Sequence, residues 1–120
     1  MNVTENQLQR QIVNYLESVL PKTHRAFAVP NASRRTAGGR ASNAVPGLRP
    51  GVPDLMIVGQ GRAFMMEVKA PKGKLSDAQN EWAMWATNAG MVPWALVRSV
   101  DDVRTCLTVW GIPTREHRIY

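Results

Sequence analysis

Two acidic residues and a lysine stand where the sequence predicts two neighbouring strands. Asp54 opens one apolar run directly after Pro53, and Glu67 and Lys69 lie two residues apart in the next run. Side chains two residues apart in a strand emerge on the same face, so two acids and a lysine should converge at one edge of a sheet. Two carboxylates within reach of each other repel, and a hard cation such as Mg²⁺, which prefers oxygen ligands, stabilises such a pair. The lysine could then orient or help to deprotonate an attacking water.

This spacing alone is weak evidence for a catalytic site. A Pro-Asp pair followed at moderate spacing by an acid, any residue and a lysine occurs by chance in roughly a few per cent of chains of this size. Glu67 and Lys69 could equally form an exposed pair on one strand face with no chemical role. The position of the motif, after a basic loop and before a capped helix, favours the catalytic interpretation.

Other kinds of catalytic site find little support in the sequence. The single cysteine, Cys106, can form neither an internal disulfide nor a cysteine-rich zinc site, and it falls on an apolar helical face where a buried residue is expected. His24 and His117 lack the spacing of metal ligands. The glycine pairs lack the lysine of a nucleotide-binding P-loop. Any metal chemistry should therefore rely on carboxylates.

The positive charge of the chain is concentrated in one segment. The formal net charge is +6, and the residues from Ser18 to Pro53 include six basic side chains and no acidic one. The rest of the chain carries equal numbers of acids and bases. Clustered lysines and arginines bind polyanions by neutralising phosphates and releasing counterions, which points to nucleic acid. A merely solvated basic loop is the alternative explanation.

The elements that must position these residues follow from helix caps, turns and periodicity. Thr4 with Gln7, and Ser76 with Gln79, have the spacing of capping boxes before helical apolar stripes. Gly59-Gln60-Gly61 separates two apolar runs and indicates a hairpin. The predicted order is αβββαβα: helix 4–20, strand 24–29, loop 31–53, strands 54–58 and 62–69, helix 76–90, strand 91–97 and helix 99–111.

The strand pattern also predicts which residues face the core. Phe64, Met66 and Val68 alternate with Glu67, so they should point to the opposite face of the sheet, toward the core. Pro93 cannot donate a hydrogen bond within the last strand, which favours an edge strand or a bulge there.

Three side chains have two interpretations each. Glu5, in the first turn of the first helix, could favour the helix dipole or could belong to a site near the apolar face. Trp82 and Trp85 fit a core or an interface, and stacking on bases is the alternative.

Length and composition fit one compact domain over residues 1–120, in which residues 31–53 form a basic flexible loop. The chain has 120 residues, of which 44% are hydrophobic and 20% charged, so it is not a disordered tail. No apolar stretch approaches the length of a bilayer span, and the N-terminus lacks the pattern of a signal peptide. We therefore expect a soluble cytoplasmic protein without a membrane partner.

The residues around the motif resemble a known family. Pro53-Asp54 with Glu67-Val68-Lys69 looks like the signature of the PD-(D/E)xK nucleases, and the chain resembles their VRR-NUC (virus-type replication-repair nuclease) branch. The resemblance implies an α/β fold with a restriction-endonuclease-like core, in which helices flank a mixed β-sheet. The segments that carry it lie in the expected order: Pro30-Asn31, Gly51-Val52-Pro53-Asp54-Leu55, Gly73-Lys74-Leu75-Ser76-Asp77-Ala78-Gln79, Ala89-Gly90 and Val97-Arg98-Ser99.

The resemblance implies roles for the matching residues. Asp54 and Glu67 match the metal-binding carboxylates of the family, and Lys69 matches its catalytic lysine. Val68 would give its backbone carbonyl to the metal, which would be Mg²⁺ or Mn²⁺. Glu5 matches an acid that the family carries near the metal site on its first helix, which favours this role over the dipole explanation.

The expected activity is metal-dependent DNA cleavage that leaves a 5′ phosphate. Gln79 matches a glutamine that opens the helix after the catalytic strand, although its capping role explains it nearly as well. By the same resemblance we expect a small protein of the phage and bacterial type that acts as a homodimer on branched DNA such as Holliday junctions. The residues expected to contact DNA are Asn31, Arg34, Arg35, Arg40, Arg49, Lys72 and Lys74.

Two competing hypotheses come from other functional classes. The chain could be a non-catalytic phage DNA-binding accessory protein that uses only the basic segment 18–53. It could also be a purely structural interaction protein. DNA cleavage that depends on added metal would discriminate against both.

Overall fold

The computed structural model describes residues 3–30 and 45–117 of the 120-residue chain. In these residues the elements follow the predicted order αβββαβα. The predicted DNA contacts Asn31, Arg34, Arg35 and Arg40 lie outside them. The helices and strands are α1 (Glu5–Val19), β1 (His24–Ala28), β2 (Leu55–Gly59), β3 (Arg62–Val68), α2 (Asp77–Trp85), β4 (Trp94–Val97) and α3 (Val100–Val109), with a π-helical turn at Ala86–Gly90 and a 3-10 turn at Arg115–His117.

Side chains cap the first turns of the helices as the sequence predicts. The Thr4 hydroxyl accepts a hydrogen bond from the Gln7 backbone N–H, and the Gln7 side chain accepts one from the Thr4 N–H. Ser76 and Gln79 form the same reciprocal box at the start of α2. These bonds satisfy backbone donors that have no partner within the helix, so they fix where each helix begins.

The helical segment that begins with α2 ends at Gly90, as the sequence predicts. Its last five residues, Ala86–Gly90, form the π-helical turn. The residue with left-handed backbone is the next one, Met91, at φ 53°. Gly90 also makes room for an indole, because an added Cβ would lie 3.1 Å from ring atoms of Trp85.

The sheet is mixed and has the order β1-β2-β3-β4. The first three strands are antiparallel, and β4 pairs in parallel with β3. Gln60 and Gly61 connect β2 to β3, both with positive φ, as the tight type I′ hairpin turn requires. Pro93 precedes β4, which is an edge strand as predicted. The Pro93 carbonyl accepts a hydrogen bond from the Met65 N–H.

The core lies on one face of the sheet. Phe64, Met66 and Val68 of β3 are fully buried there, which confirms the predicted alternation. Met65 and Glu67 point to the opposite face and are also buried. The core is completed by residues of β2, α1 and α3: Leu55, Ile57, Leu8, Ile12, Leu16, Val103 and Leu107.

The segment that leads into Asp54 packs against α2. Gly51 has φ 84°, and an added Cβ would lie 2.2 Å from the Ala78 carbonyl oxygen. Gly51, Val52 and Pro53 are all buried. Only glycine fits this close approach, which brings α2 toward the strand that follows Asp54.

The described helices show no membrane span. None of those in residues 3–30 and 45–117 combines the length and the apolar character that crossing a bilayer requires.

Replacing Gly51 by alanine should lower the free energy of unfolding by roughly 2–5 kcal/mol. The added methyl group would meet the α2 backbone and would also disfavour the left-handed conformation. Gly61→Ala is the matched control, because Gly61 has φ 80° but no atom within 4 Å of an added Cβ, and it should lose only about 1–2 kcal/mol. Urea denaturation measures both, and equal losses would contradict the close packing of Gly51 against α2.

Candidate active site

Asp54 and Glu67 lie side by side at the end of the β2–β3 pair. The register that pairs Leu55 with Met66 places Asp54 opposite Glu67 on the neighbouring strand. The Asp54 carboxylate accepts a hydrogen bond of 2.8 Å from the Val68 backbone N–H. The Asp54 carbonyl accepts another from Val29, 2.9 Å away, so the acid is fixed from both neighbouring strands.

Glu67 is the most unusual group of the site, because its side chain is fully buried. One carboxylate oxygen, Oε2, accepts a hydrogen bond of 3.0 Å from the Gln79 amide. The other oxygen, Oε1, is buried without a hydrogen-bond partner among the described residues. The alternative in which Glu67 and Lys69 form an exposed pair is therefore wrong for Glu67, which is 0% exposed.

The surroundings of Glu67 favour its protonated form. Burial, together with the nearby Asp54, raises the pKa of Glu67 to about 9. Two ionised carboxylates can only accept hydrogen bonds, so a bond between these acids requires that one of them carries a proton. The unpartnered oxygen is satisfied either by that proton or by a cation.

The charges of Lys69 and Glu5 also affect the pKa of Glu67. The positive charge of Lys69 lowers the pKa of Glu67 but does not outweigh burial and Asp54, while the negative charge of Glu5 makes a smaller contribution that raises it. Lys69 is half-buried, and its backbone N–H donates to the Val97 carbonyl at 3.1 Å. Glu5 is exposed in the first turn of α1. The structure thus brings the predicted lysine and the predicted helix acid close enough to influence Glu67.

Gln79 serves the helix cap and the site at the same time. Its Oε1 accepts a hydrogen bond of 2.8 Å from the Ser76 N–H, and its Nε2 donates to Glu67. The cap occupies the oxygen, so the amide must turn its N–H toward the carboxylate. Capping and a role in the site, which the sequence left as alternatives, are therefore both present.

Two acids, rather than three, meet directly. Within residues 3–30 and 45–117, no three His, Cys, Asp or Glu side chains come close enough to hold a metal ion together. Mg²⁺ needs few protein ligands because it keeps several waters. Asp54 and Glu67 lie next to each other, and one buried oxygen of Glu67 has no partner among the described residues, so the pair fits such a hard cation.

The other predicted residues fall into different surroundings. Arg49 is exposed beside α2, and Lys72 and Lys74 are exposed in the connection from β3 to α2. His24 is buried against Gly59, and burial lowers the pKa of its imidazole. Cys106 packs against the core, but it is partly buried and not fully buried as expected.

Arg98 is a structural part of the site that residue chemistry did not single out. Its guanidinium donates to the carbonyls of Ala70 and Pro71 at 2.7 and 3.1 Å, and so it holds the segment that follows Lys69. Its backbone N–H donates to Asp102 at the start of α3. The only signal for it in the sequence was its presence in the Val97-Arg98-Ser99 segment.

The comparisons with known proteins decide the family. The sequence profile of the VRR-NUC domain matches residues 2–99. The chain belongs to the VRR-NUC family. A solved structure described as a VRR_NUC domain protein covers 90% of this chain and 88% of its own, with a TM-score of 0.53 and 20% identity, so it supports the fold alone. No curated protein sequence matches the chain significantly.

Family membership gives this VRR-NUC chain a nuclease-type function. The domain belongs to the PD-(D/E)xK superfamily, whose signature Pro53, Asp54, Glu67 and Lys69 resemble. The fold is the expected one, a mixed sheet flanked by helices.

Without divalent metal, the stability of the VRR-NUC protein should fall as pH rises from about 4.5 to about 9. Between the ordinary pKa of 4.5 and the folded pKa of about 9, the folded state keeps a proton on Glu67 that the unfolded state has released. That stabilisation is complete below about pH 4.5 and is lost as pH approaches 9, by at most about 1.4 kcal/mol per pH unit. Urea titrations in EDTA across this range measure it.

Two glutamine variants separate the contribution of Glu67 from that of other acids. Glu67→Gln resembles the protonated acid and should flatten the pH dependence, whereas Glu17→Gln, at an exposed position of α1, should retain it. An unchanged slope in Glu67→Gln would contradict a buried proton on that residue.

Loss of the Gln79 amide should extend the pH dependence to higher pH. Its N–H favours the ionised form of Glu67, so Gln79→Ala should raise the pKa of that acid further. Ser76→Ala removes the hydroxyl half of the same capping box and leaves Gln79 in place. Both variants should lose roughly 0.5–2 kcal/mol of cap stability, but only Gln79→Ala should alter the pH profile. Matching profiles would limit Gln79 to capping.

Proposed function

We propose that this VRR-NUC protein is a metal-dependent endonuclease that hydrolyses phosphodiester bonds of DNA. The observation that carries the proposal is the fully buried Glu67 carboxyl group, which lies beside Asp54 and has an oxygen without a partner among the described residues. A buried pair of acids is costly for a fold unless something compensates for it. A divalent cation at this position compensates for the repulsion and also provides a catalytic centre.

Each residue of the motif has a defined task in this proposal. Asp54 and Glu67 would provide the carboxylate ligands of Mg²⁺ or Mn²⁺, with the Val68 carbonyl as a backbone ligand and Glu5 close by. Bound there, the metal would polarise the scissile phosphate and lower the pKa of water. Lys69 would hold the attacking water by a hydrogen bond and would stabilise negative charge that develops on the phosphate.

Gln79 would keep Glu67 in the orientation that this chemistry needs. Its N–H donates to Oε2, which leaves Oε1 available as a ligand. Because the amide is itself held by the Ser76 N–H, rotation of the carboxylate would break its bond to a fixed donor. A positioned ligand of this kind reduces the reorganisation required when metal and substrate bind.

The basic residues would hold the DNA backbone around the site. Lys72 and Lys74 are exposed on the connection that follows the catalytic strand, and Arg49 is exposed near the segment that precedes Asp54. Asn31, Arg34, Arg35 and Arg40 belong to this proposal on the strength of the charge distribution in the sequence alone. The natural substrate we propose is branched DNA such as a Holliday junction, cut by a homodimer whose two sites match the two symmetric strands.

The proposed nuclease activity can be tested by substituting single site residues. Glu67→Gln should reduce the cleavage rate about 100-fold or more, because the variant lacks a charged ligand. DNA affinity should stay nearly unchanged, because the phosphates are bound by other residues. The variant should fold, since glutamine closely resembles the protonated glutamate that the metal-free protein buries. The measurement is cleavage of labelled four-way-junction and duplex DNA with Mg²⁺, with Mn²⁺ and with EDTA.

Metal binding provides a second readout that is independent of cleavage. Titration of Mn²⁺ followed by electron paramagnetic resonance should show binding that strengthens as pH rises, because the metal competes with the proton on Glu67. Glu67→Gln should abolish this pH-dependent Mn²⁺ binding, and Glu17→Gln should behave like the wild type. Cleavage of either substrate in EDTA, or full cutting by a folded Glu67→Gln protein, would overturn the proposal. DNA binding without any cleavage would favour the non-catalytic DNA-binding protein.

A further inference from the structure

A cavity of about 550 Å³ opens beside the candidate active site, on the outer side of α2. Its walls include the side chains of Arg49, Glu81, Trp82 and Trp85. The volume is in the range of small-molecule sites, which runs from about 300 to 1,000 Å³. The residues differ from those of the metal site, and the proposed nuclease chemistry gives the two tryptophans and Glu81 no role.

The two tryptophans form an aromatic wall that is held in place. Their ring centroids are 5.1 Å apart, with an angle of 48° between the planes. Trp82 is fixed because its indole N–H lies 3.3 Å from the Met65 sulfur. Trp85 rests on Gly90, where an added Cβ would lie 3.1 Å from the ring, and yet it is 49% exposed. A large aromatic ring is thus positioned precisely while half of its surface remains in solvent.

The cavity is connected to the catalytic carboxylates through shared elements. Gln79, which contacts Glu67, is one helical turn from Trp82 on α2. Met65, which contacts Trp82, precedes Glu67 by two residues on the same face of β3, a distance of about 7 Å. A phosphate at the carboxylates would therefore place a neighbouring nucleotide within reach of the tryptophans.

We propose that this cavity binds an unpaired base of the DNA substrate next to the scissile phosphate. The inference rests on the proposed nuclease function and names a feature that its substrate should have. Every base has a π-face that stacks on indole, and an arginine adds a cation next to the nucleotide. Glu81 can accept a hydrogen bond from a base amino group but repels phosphate, so the cavity suits a base better than backbone.

A second copy of this chain is a less suitable occupant. The centres of protein interfaces are depleted of charged side chains. This cavity instead brings Arg49 and Glu81 together with the two indoles. The mixture of cation, carboxylate and aromatic rings matches a nucleobase.

The test compares four forked duplexes that carry the same phosphates. In one, the unpaired strand is intact; in each of the other three, an abasic residue replaces the base at one of the first three unpaired positions. Fluorescence anisotropy in EDTA gives affinities without cleavage. Loss of the base at one position should weaken binding by the wild type by roughly 5- to 100-fold, the effect of one base–aromatic stack.

Substitutions at α2 assign the effect to the cavity. Trp85→Ala should bind the intact and abasic forks alike, while Trp85→Phe should keep a preference for the intact fork. Met84→Ala is the matched control, because Met84 is an exposed apolar side chain on the same helix and lies outside the cavity walls. It should discriminate as the wild type does.

The outcomes separate this inference from the nuclease proposal. Equal affinity of the wild type for all forks, or an unaltered preference in Trp85→Ala, overturns the base site even if the protein cuts DNA with Mg²⁺. A dimer that dissociates on Trp85→Ala, as measured by light scattering, would assign the surface to self-association and also overturn it. Base discrimination in a protein that cuts none of the forks would support the cavity and contradict the nuclease.

Discussion

The buried carboxyl group of Glu67 beside Asp54 imposes a requirement that much of this structure meets. A carboxylate removed from water and placed next to a second acid is unstable unless it gains a proton, hydrogen bonds or a cation. The fold supplies one hydrogen bond from Gln79 and a nearby positive charge from Lys69. It leaves one oxygen unsatisfied in the described part of the chain. The site is therefore balanced between a protonated, metal-free form and an ionised form that has a cation beside it.

Helix α2 links this balance to the rest of the molecule. Its first turn holds the Gln79 amide through the capping box, and its next turn places Trp82 against Met65 of β3. Two glycines allow close packing around this helix. Gly51 lies against the helix backbone at Ala78, and Gly90 lies against the indole of Trp85. The helix has no fully buried residue of its own, so these few contacts decide its position. A shift of this helix should therefore alter the environment of the Glu67 carboxylate, because Gln79 on the helix is bonded to it.

The two faces of the sheet have separate tasks. One face carries the apolar core with α1 and α3, which stabilises the fold. The other face carries Met65 and Glu67 on the strand that continues into Lys69. The strand is thus firmly anchored by its core side while it presents chemical groups on the opposite side. Catalytic groups on a rigid strand are held more accurately than groups on a loop.

The sequence by itself determined the features that depend on neighbours along the chain. Capping pairs such as Thr4 with Gln7, the alternation around Phe64 and the hairpin turn at Gly61 each involve residues only a few positions apart. Their energies are local, so they can be recognised before the fold is known. The same alternation correctly placed Glu67 on the face opposite the core, and the motif around it led to the family.

Only the tertiary structure decided what surrounds these groups. The burial of Glu67, the dual bonding of Gln79 and the packing of Gly90 under Trp85 depend on how distant elements approach each other. Gly90 ends the helical segment as predicted, but its packing under an indole comes from tertiary contact and not from its place after a helical stripe. A pKa of about 9 likewise follows from the burial of Glu67 together with the neighbouring Asp54, and no spacing of residues in the sequence expresses that burial.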